Sequence, residues 1–249
     1  MKAQVTIIIM RPLSEARLYT FIDTAYLSGR DPALVARQLC DGGSDMIQLR
    51  AKNFHADAIR AMAEIVLPVL ERAGVPLVIN DHWEIARELG VAYCHLGQED
   101  FFDSGLIHAS QISTTDGRPL LGLSTHAPEQ AARAIAAQPA YIAIGPVYST
   151  ATKPTAKPVT LDYVRWASEN ITIPWFAIGG VNAATLDAVL AAGARRICVV
   201  SDILNAPDIA QACREFKKKV AQASLPVPLP PASVSEPLME LEHQKAPAM

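Results

Sequence analysis

Leu18-Tyr19-Thr20-Phe21-Ile22-Asp23-Thr24-Ala25 is the stretch that decides the fold. A short run of apolar and β-favouring residues ends on an aspartate and passes straight into helix formers, with no glycine at the junction. An open, doubly wound sheet usually carries G-x-G-x-x-G after its first strand, so this segment opens a different α/β architecture. Seven further runs of the same kind follow at residues 45–50, 76–80, 92–96, 120–124, 141–145, 175–178 and 196–200. They are continuously apolar, which suits parallel strands covered on the outer face. Helical patterns lie between them. Asp31-Pro32 supplies an N-cap and a first-turn proline for a helix reaching Gly42-Gly43. Residues 55–73 close on Gly74 and 182–192 on Gly193, and 127–137 and 206–220 are also helical in pattern. Eight strands alternating with helices over about 220 residues predict a single (β/α)₈ barrel.

The predicted organisation is a lead-in segment at 1–16, a catalytic barrel at 17–223 and a tail at 224–249. The tail holds Pro226, Pro228, Pro230, Pro231, Pro237 and Pro247, six of the chain's 18 prolines, and reads as disordered. The 249 residues are 50% apolar and 19% charged, with a formal net charge of −3, which is the composition of a soluble globular protein. No apolar run approaches the ~18–20 residues of a membrane span. A nucleic-acid surface would need a basic excess. Residues 1–11 are too short and lack the small-residue cleavage site of a secretory leader. Cys40, Cys94, Cys198 and Cys213 are widely spaced in apolar surroundings, as expected for buried thiols in a reducing cytoplasm.

A (β/α)₈ barrel builds its active site at the carboxyl ends of its strands. Here those ends read Gln48-Leu49-Arg50-Ala51-Lys52, Asn80-Asp81, His95-Leu96-Gly97-Gln98-Glu99-Asp100 and Ser124-Thr125-His126. They continue with Gly145-Pro146-Val147-Tyr148-Ser149-Thr150-Ala151-Thr152-Lys153-Pro154, Gly179-Gly180 and Ser201-Asp202. Arg50, Lys52 and Lys153 are cations on different loops and suit a ligand with several negative charges. Asp81 and Asp100 in the same bowl make sense with a hard cation between them and the anion, and Mg²⁺ takes one or two carboxylates plus phosphate oxygens. Asp81 also stands where it could cap a helix beginning at Trp83. Gly179-Gly180 and Ser201 occupy the strand-seven and strand-eight positions where many barrels bind a phosphate, and Thr150 and Thr152 place hydroxyls on a proline-stiffened sixth loop. His95, Trp83, Trp166 and Trp175 read as core, Lys157 as solvent-facing, and Arg195-Arg196 and Lys217–Lys219 as solvated ends. No nucleophile elbow, P-loop, H-E-x-x-H or cysteine–histidine zinc spacing is present.

From Leu18 to Val220 these stretches, in this order, resemble the thiamine-phosphate synthase family, above all through His95-Leu96-Gly97-Gln98-Glu99-Asp100 and Gly145 to Lys153. The resemblance implies a cytoplasmic Mg²⁺-dependent transferase. It would join 4-amino-5-hydroxymethyl-2-methylpyrimidine diphosphate to 4-methyl-5-(2-phosphoethyl)-thiazole, releasing diphosphate and thiamine phosphate. In the implied dissociative mechanism diphosphate leaves first, and the thiazole nitrogen captures the pyrimidine carbocation. By the same resemblance Gln48, Arg50, Lys52, Asn80 and Lys153 hold the pyrimidine diphosphate, and Asp81 and Asp100 bind Mg²⁺. Ser124 lies near the pyrimidine, and Thr150, Thr152, Gly180, Val200 and Ser201 bind the thiazole phosphate. Arg50, Lys52, Lys153 and Ser124 carry the chemistry. The implied partners are the two small-molecule substrates, with neither nucleic acid nor membrane, and homo-oligomerisation stays open. Two departures stand out: Ala51 replaces an acidic residue common in the family, and Asp202 replaces a small one beside the phosphate site. Asp202 would repel a phosphate if aimed at it and be harmless if turned toward Ala206. A thiazole tautomerase-like isomerase and a non-catalytic thiazole-phosphate sensor remain as alternatives. Neither accounts for the cations and paired carboxylates of the diphosphate half-site.

Overall fold

A computed structural model describes residues 10–150 and 157–223 of the chain. The predicted tail at 224–249 and the sixth-loop residues Thr152 and Lys153 lie outside the described residues. The strands are β1 (Leu18–Asp23), β2 (Met46–Arg50), β3 (Leu77–Asn80), β4 (Tyr93–Gly97), β5 (Leu120–Thr125), β6 (Tyr141–Ile144), β7 (Trp175–Ala177) and β8 (Ile197–Cys198). All pairings are parallel and follow chain order, and β8 pairs with β1 to close the barrel. The chain is a (β/α)₈ barrel.

Around it run α1 (Thr24–Leu27), α2 (Pro32–Asp41), α3 (Ala56–Ala73), α4 (Trp83–Glu88), α5 (Gln98–Asp103), α6 (Pro128–Ala136), α7 (Thr160–Asn170), α8 (Leu186–Ala191), α9 (Ser201–Leu204) and α10 (Ile209–Gln222). The Asp31 carboxylate caps α2 by accepting from Ala33 N at 2.9 Å, and α3 ends on Gly74 at φ 66°. Two patterned helices begin later than their sequence suggests. Residues 182–185 form a turn, with Asn182 Oδ1 accepting from Ala184 N and Thr185 N, so α8 starts at Leu186. Asp208 caps α10 from outside, which moves its start to Ile209. Helices α5 and α7 do not stand out in the pattern, because each buries little: Gln98 and Phe101 in α5, and Tyr163, Val164 and Ala167 in α7. Among the described residues no helix is long and apolar enough to cross a membrane.

Alternation along the strands sorts side chains into two cores. Leu18, Ile22, Ile47, Leu49, Leu77, Ile79, Ile142 and Ile197 pack outward under the helices. Tyr19, Phe21, Met46, Val78, Tyr93, Tyr141, Phe176 and Cys198 fill the barrel interior. Because both faces are covered, the strands read as unbroken apolar runs. The interior is aromatic: Tyr19 meets Phe176 edge-on at 5.4 Å and Tyr141 at 6.0 Å between ring centroids. Continuing the alternation, Gln48 and Arg50 follow Met46 inward, Asn80 follows Val78, and His95 and Gly97 follow Tyr93. The inner core therefore becomes polar toward the carboxyl end of each strand.

The opposite end is sealed by Asp45, a residue 3% exposed. It accepts from the amides of Arg17 and Leu18 at 2.8 and 2.9 Å, from Arg11 at 2.8 Å, and from Lys217 of α10. Lys217 is thus an ion-pair partner rather than a solvated end, and Arg196 likewise turns back to donate to Ser14 O at 3.1 Å. Both contacts lie at the amino ends of the strands, where Asp45 is buried and the Ser14 carbonyl comes within reach of Arg196. Burial pushes the Asp45 carboxyl up, but the bonds from Lys217, Leu18 and Arg17 outweigh it and hold the group below its ordinary value. A depressed folded pKa stabilises above the unfolded value of about 4 and loses that contribution as pH falls through the folded value. Asp45→Ala is expected to cost about 3 kcal/mol in urea unfolding at pH 7, with the difference from wild type shrinking as pH falls below about 4. A constant difference across that range would show that the carboxylate charge contributes nothing.

Candidate active site

A cavity of about 240 Å³ opens among the carboxyl ends of the strands, lined by residues from seven of them and by the segment that follows β7. Of the residues expected there, Gln48, Arg50, Lys52, Asn80, Asp81, Asp100, Ser124, Thr150, Gly180, Val200 and Ser201 all line it. Thr152 and Lys153 belong to the undescribed part of the sixth loop.

On one side the cavity carries two cations. Arg50, the last residue of β2, lies in register with Asp23, the last of β1. Arg50 Nη1 donates to Asp23 Oδ2 at 2.7 Å, and the two side chains are 16% and 1% exposed. The other Asp23 oxygen accepts from Ala25 N at 3.0 Å, so the carboxylate is fixed before it fixes the guanidinium. Asp23 was not expected here, although its place at the end of the first strand carried the signal. Lys52 donates to the Asp81 carboxylate. Asp81 does not cap α4: His82 holds the cap position, without a side-chain cap bond. Asp81 takes φ 64°, a left-handed conformation that Asp and Asn tolerate better than most residues.

Asp100 stands in the first turn of α5, and its Oδ2 lies over Gly97, where a Cβ would be 2.8 Å away. Asp81 and Asp100 are the carboxylates that line the cavity. Among the described residues no three His, Cys, Asp or Glu side chains form a metal cage. Two carboxylates beside an anion site fit a Mg²⁺ ion that takes its remaining oxygens from substrate and water, and do not fit an all-protein metal centre.

Beneath this rim runs a buried polar chain. Gln48 Nε2 donates to Tyr19 OH at 2.6 Å, Tyr19 OH meets Tyr141 OH at 3.1 Å, and Tyr141 OH meets His95 Nδ1 at 3.2 Å. The His95 ring also stacks on Tyr141 at 5.7 Å. His95 is the packed, hydrogen-bonded histidine expected from its apolar strand, and it also forms part of the cavity wall. Burial pushes the Tyr19 and Tyr141 hydroxyls, and the Cys198 thiol, well above their ordinary values, so all stay protonated at neutral pH. The four cysteines are free thiols.

Across the mouth lies a glycine wall. Gly179 and Gly180 take φ 96° and 66°, and a Cβ on them would collide with Pro146 and Tyr148 respectively. Only glycine meets both demands, the left-handed backbone and the close approach of the sixth loop. Tyr148 N donates to Gly179 O at 3.0 Å, and Thr185 Oγ1 donates to Gly180 O at 2.9 Å. Asp202 is absent from the cavity lining, and its Oδ2 accepts from Ala183 N at 2.9 Å. His126 completes the lining and was not foreseen as a site residue. Its Nδ1 faces the Gly145 carbonyl, which can only accept, so Nδ1 carries the proton and Nε2 is the acceptor in the neutral ring.

Comparison with known proteins agrees with this geometry. The family model described as thiamine monophosphate synthase matches residues 18–203. A thiamine-phosphate synthase from Thermus thermophilus is 43% identical over 180 residues, covering 72% of this chain and 84% of that protein. One from Acidothermus cellulolyticus is 39% identical over 215 residues, covering 85% and 98%. Among solved structures, a thiamine phosphate pyrophosphorylase from Pyrococcus furiosus superposes with a TM-score of 0.69 at 22% identity, covering 85% of this chain and 98% of that one. That likeness shows the shared fold.

Proposed function

The chain belongs to the thiamine monophosphate synthase family, and from that premise we propose that it condenses 4-amino-5-hydroxymethyl-2-methylpyrimidine diphosphate with 4-methyl-5-(2-phosphoethyl)-thiazole. The products are thiamine phosphate and diphosphate. The observation that carries this reading is that one cavity gathers two distinct sets of residues. Arg50 and Lys52 stand with Asp81 and Asp100 on one side, and Gly179-Gly180 with Val200 and Ser201 on the other.

In this reading the reaction is dissociative. The C–O bond to diphosphate breaks, and the thiazole nitrogen donates its lone pair to the resulting pyrimidine carbocation. Arg50, pre-set by Asp23, and Lys52 neutralise the charge that develops on the leaving oxygens, with Lys153 as a third cation from the sixth loop. Asn80 and Gln48 orient the pyrimidine end, and Gln48 is itself anchored by Tyr19. Ser124 lies beside the pyrimidine. Thr150, Thr152, Gly180, Val200 and Ser201 hold the thiazole phosphate so that its ring nitrogen faces the breaking bond. Mg²⁺ held by Asp81 and Asp100 would add positive charge against the diphosphate. The aromatic floor of Tyr19, Phe21 and Tyr141 keeps water from the cation, which water would otherwise capture. The free thiols, three of them buried, support a reducing, cytoplasmic setting.

The direct test incubates the protein with both substrates and Mg²⁺ and follows thiamine phosphate and diphosphate. Equal amounts of the two products, and none when either substrate is omitted, are expected. Conversion of the thiazole phosphate alone would identify an isomerase instead, and binding of both ligands without product a sensor.

A further inference from the structure

We propose that Asp202 is a positioning residue that holds the phosphate side of the cavity in its binding shape. This rests on the reading of Gly180, Val200 and Ser201 as the thiazole-phosphate cradle. That cradle is made from two separate pieces of chain, the loop after β7 and the turn after β8, and they must keep a fixed spacing to grip one phosphate. The loop at 179–185 is tied internally, with Gly180 O accepting from Thr185 Oγ1 at 2.9 Å and Asn182 Nδ2 at 3.3 Å. Asn182 Oδ1 accepts from Ala184 N and Thr185 N, closing the loop on itself. It is also fastened to the sixth loop, because Val147 N and Tyr148 N donate to Ile178 O and Gly179 O at 2.8 and 3.0 Å.

On the other side the pieces are joined differently. The strands pair in parallel through Ala177 and Ile197, with Ala177 N donating to Arg196 O at 3.0 Å, and the pairing ends there. Above the strand ends, among the described residues, the side-chain bond that crosses from the β7 loop to the β8 side is Ala183 N to Asp202 Oδ2 at 2.9 Å. Asp202 follows directly on Ser201, which lines the cavity, and Ile203 and Leu204 behind it are fully packed at 0% and 1% exposure. The carboxylate therefore has a rigid base, and its reach to Ala183 sets how far the glycine loop stands from Ser201. Asp202 itself is absent from the cavity lining. A charge that faces a backbone N–H rather than the ligand strengthens the strap and is turned from the phosphate it would repel.

The test compares Asp202→Ala with Asp202→Asn, which keeps an oxygen able to accept from Ala183. Both sites are at the surface, so neither variant leaves a buried group unpaired. Asp202→Ala is expected to raise KM and the calorimetric Kd for the thiazole phosphate roughly five- to tenfold, the scale of one hydrogen bond. KM for the pyrimidine diphosphate and kcat at saturation are expected to stay within about twofold, since only uniform binding of one substrate is lost. Asp202→Asn is expected to restore the KM for the thiazole phosphate. Wild-type affinity in the alanine variant, equal defects in both variants, or tighter binding in both would overturn the proposal; the last would mean that repulsion dominates. The two readings separate because Kd needs no turnover. Affinity lost in Asp202→Ala by a wild-type protein that makes no thiamine phosphate upholds the strap and removes the reaction. Thiamine phosphate formed with unchanged Kd in the variant does the reverse.

Discussion

Arg50→Ala is expected to slow thiamine phosphate formation by roughly 10²–10³, the loss that follows removal of one preorganised stabiliser of transition-state charge. The argument begins at the Asp23–Arg50 pair, 2.7 Å long and nearly closed to solvent. A guanidinium held this way reaches the cavity with its orientation already determined, so little reorganisation accompanies the growth of charge on the leaving oxygens. The same pair makes a second effect inevitable. Removing Arg50 strands the Asp23 carboxylate, 0% exposed, with the Ala25 N–H still donating to it, and an unpaired buried charge costs about 3 kcal/mol. Arg50→Lys separates the two consequences. It returns a positive charge to Asp23 and should recover most of the stability, but an ammonium lacks the planar fork, so turnover should recover only in part. Initial rates at saturating substrate, set beside urea unfolding of each variant, read both. A wild-type rate in Arg50→Ala, with the protein folded, would remove Arg50 from the diphosphate side.

The Asp23–Arg50 pair also illustrates how far the sequence could be read. Gln48 and Arg50 share a face because side chains alternate along a strand, and that rule alone placed both in the barrel mouth. The strand count, the parallel order and the polar rim follow from similarly local rules. Partnerships across strands do not. That Asp23 faces Arg50 depends on the β1–β2 register, Tyr19 with Met46 through Asp23 with Arg50, and register is a property of the closed barrel rather than of either strand. The same holds for the Gln48–Tyr19–Tyr141–His95 chain, whose members come from four strands and which made His95 both core and cavity wall. His126 ended a strand like its neighbours, and only the sixth loop's Gly145 carbonyl fixes its ring. Asp202 shows the limit most plainly: it lies outside the cavity lining, one of the two possibilities considered for it, but its partner Ala183 N comes from another loop and could not be foreseen. Helices α5 and α7 escaped for a different reason, their buried faces being too narrow to leave a period.

Asp81→Asn is expected to raise the Mg²⁺ concentration for half-maximal rate by roughly 10–100-fold, a range that even residues supporting a metal ligand command. Asparagine keeps the size and one oxygen of the side chain but removes its charge, and a hard cation depends on that charge. The backbone gives no reason for a wider disturbance. Asp81 sits at φ 64°, a conformation asparagine accepts readily. It caps no helix, since α4 begins after His82. The one ion pair lost is with Lys52, whose side chain is 52% exposed, and exposed pairs contribute about 0–1 kcal/mol. Stability should therefore barely move, and the KM for the thiazole phosphate, bound across the mouth, should stay as in wild type. Activity should return at high Mg²⁺, because a weakened site can still be filled. A readout independent of turnover comes from calorimetric titration of Mg²⁺ in the presence of inorganic diphosphate, where the variant should bind more weakly by a similar factor. Lys52→Ala provides the contrast: it removes a cation from the diphosphate and frees Asp81, so Mg²⁺ dependence should persist while the KM for the pyrimidine diphosphate rises. If wild type and Asp81→Asn share one half-saturation point and one calorimetric affinity, Asp81 serves to hold Lys52 in place and the metal binds elsewhere.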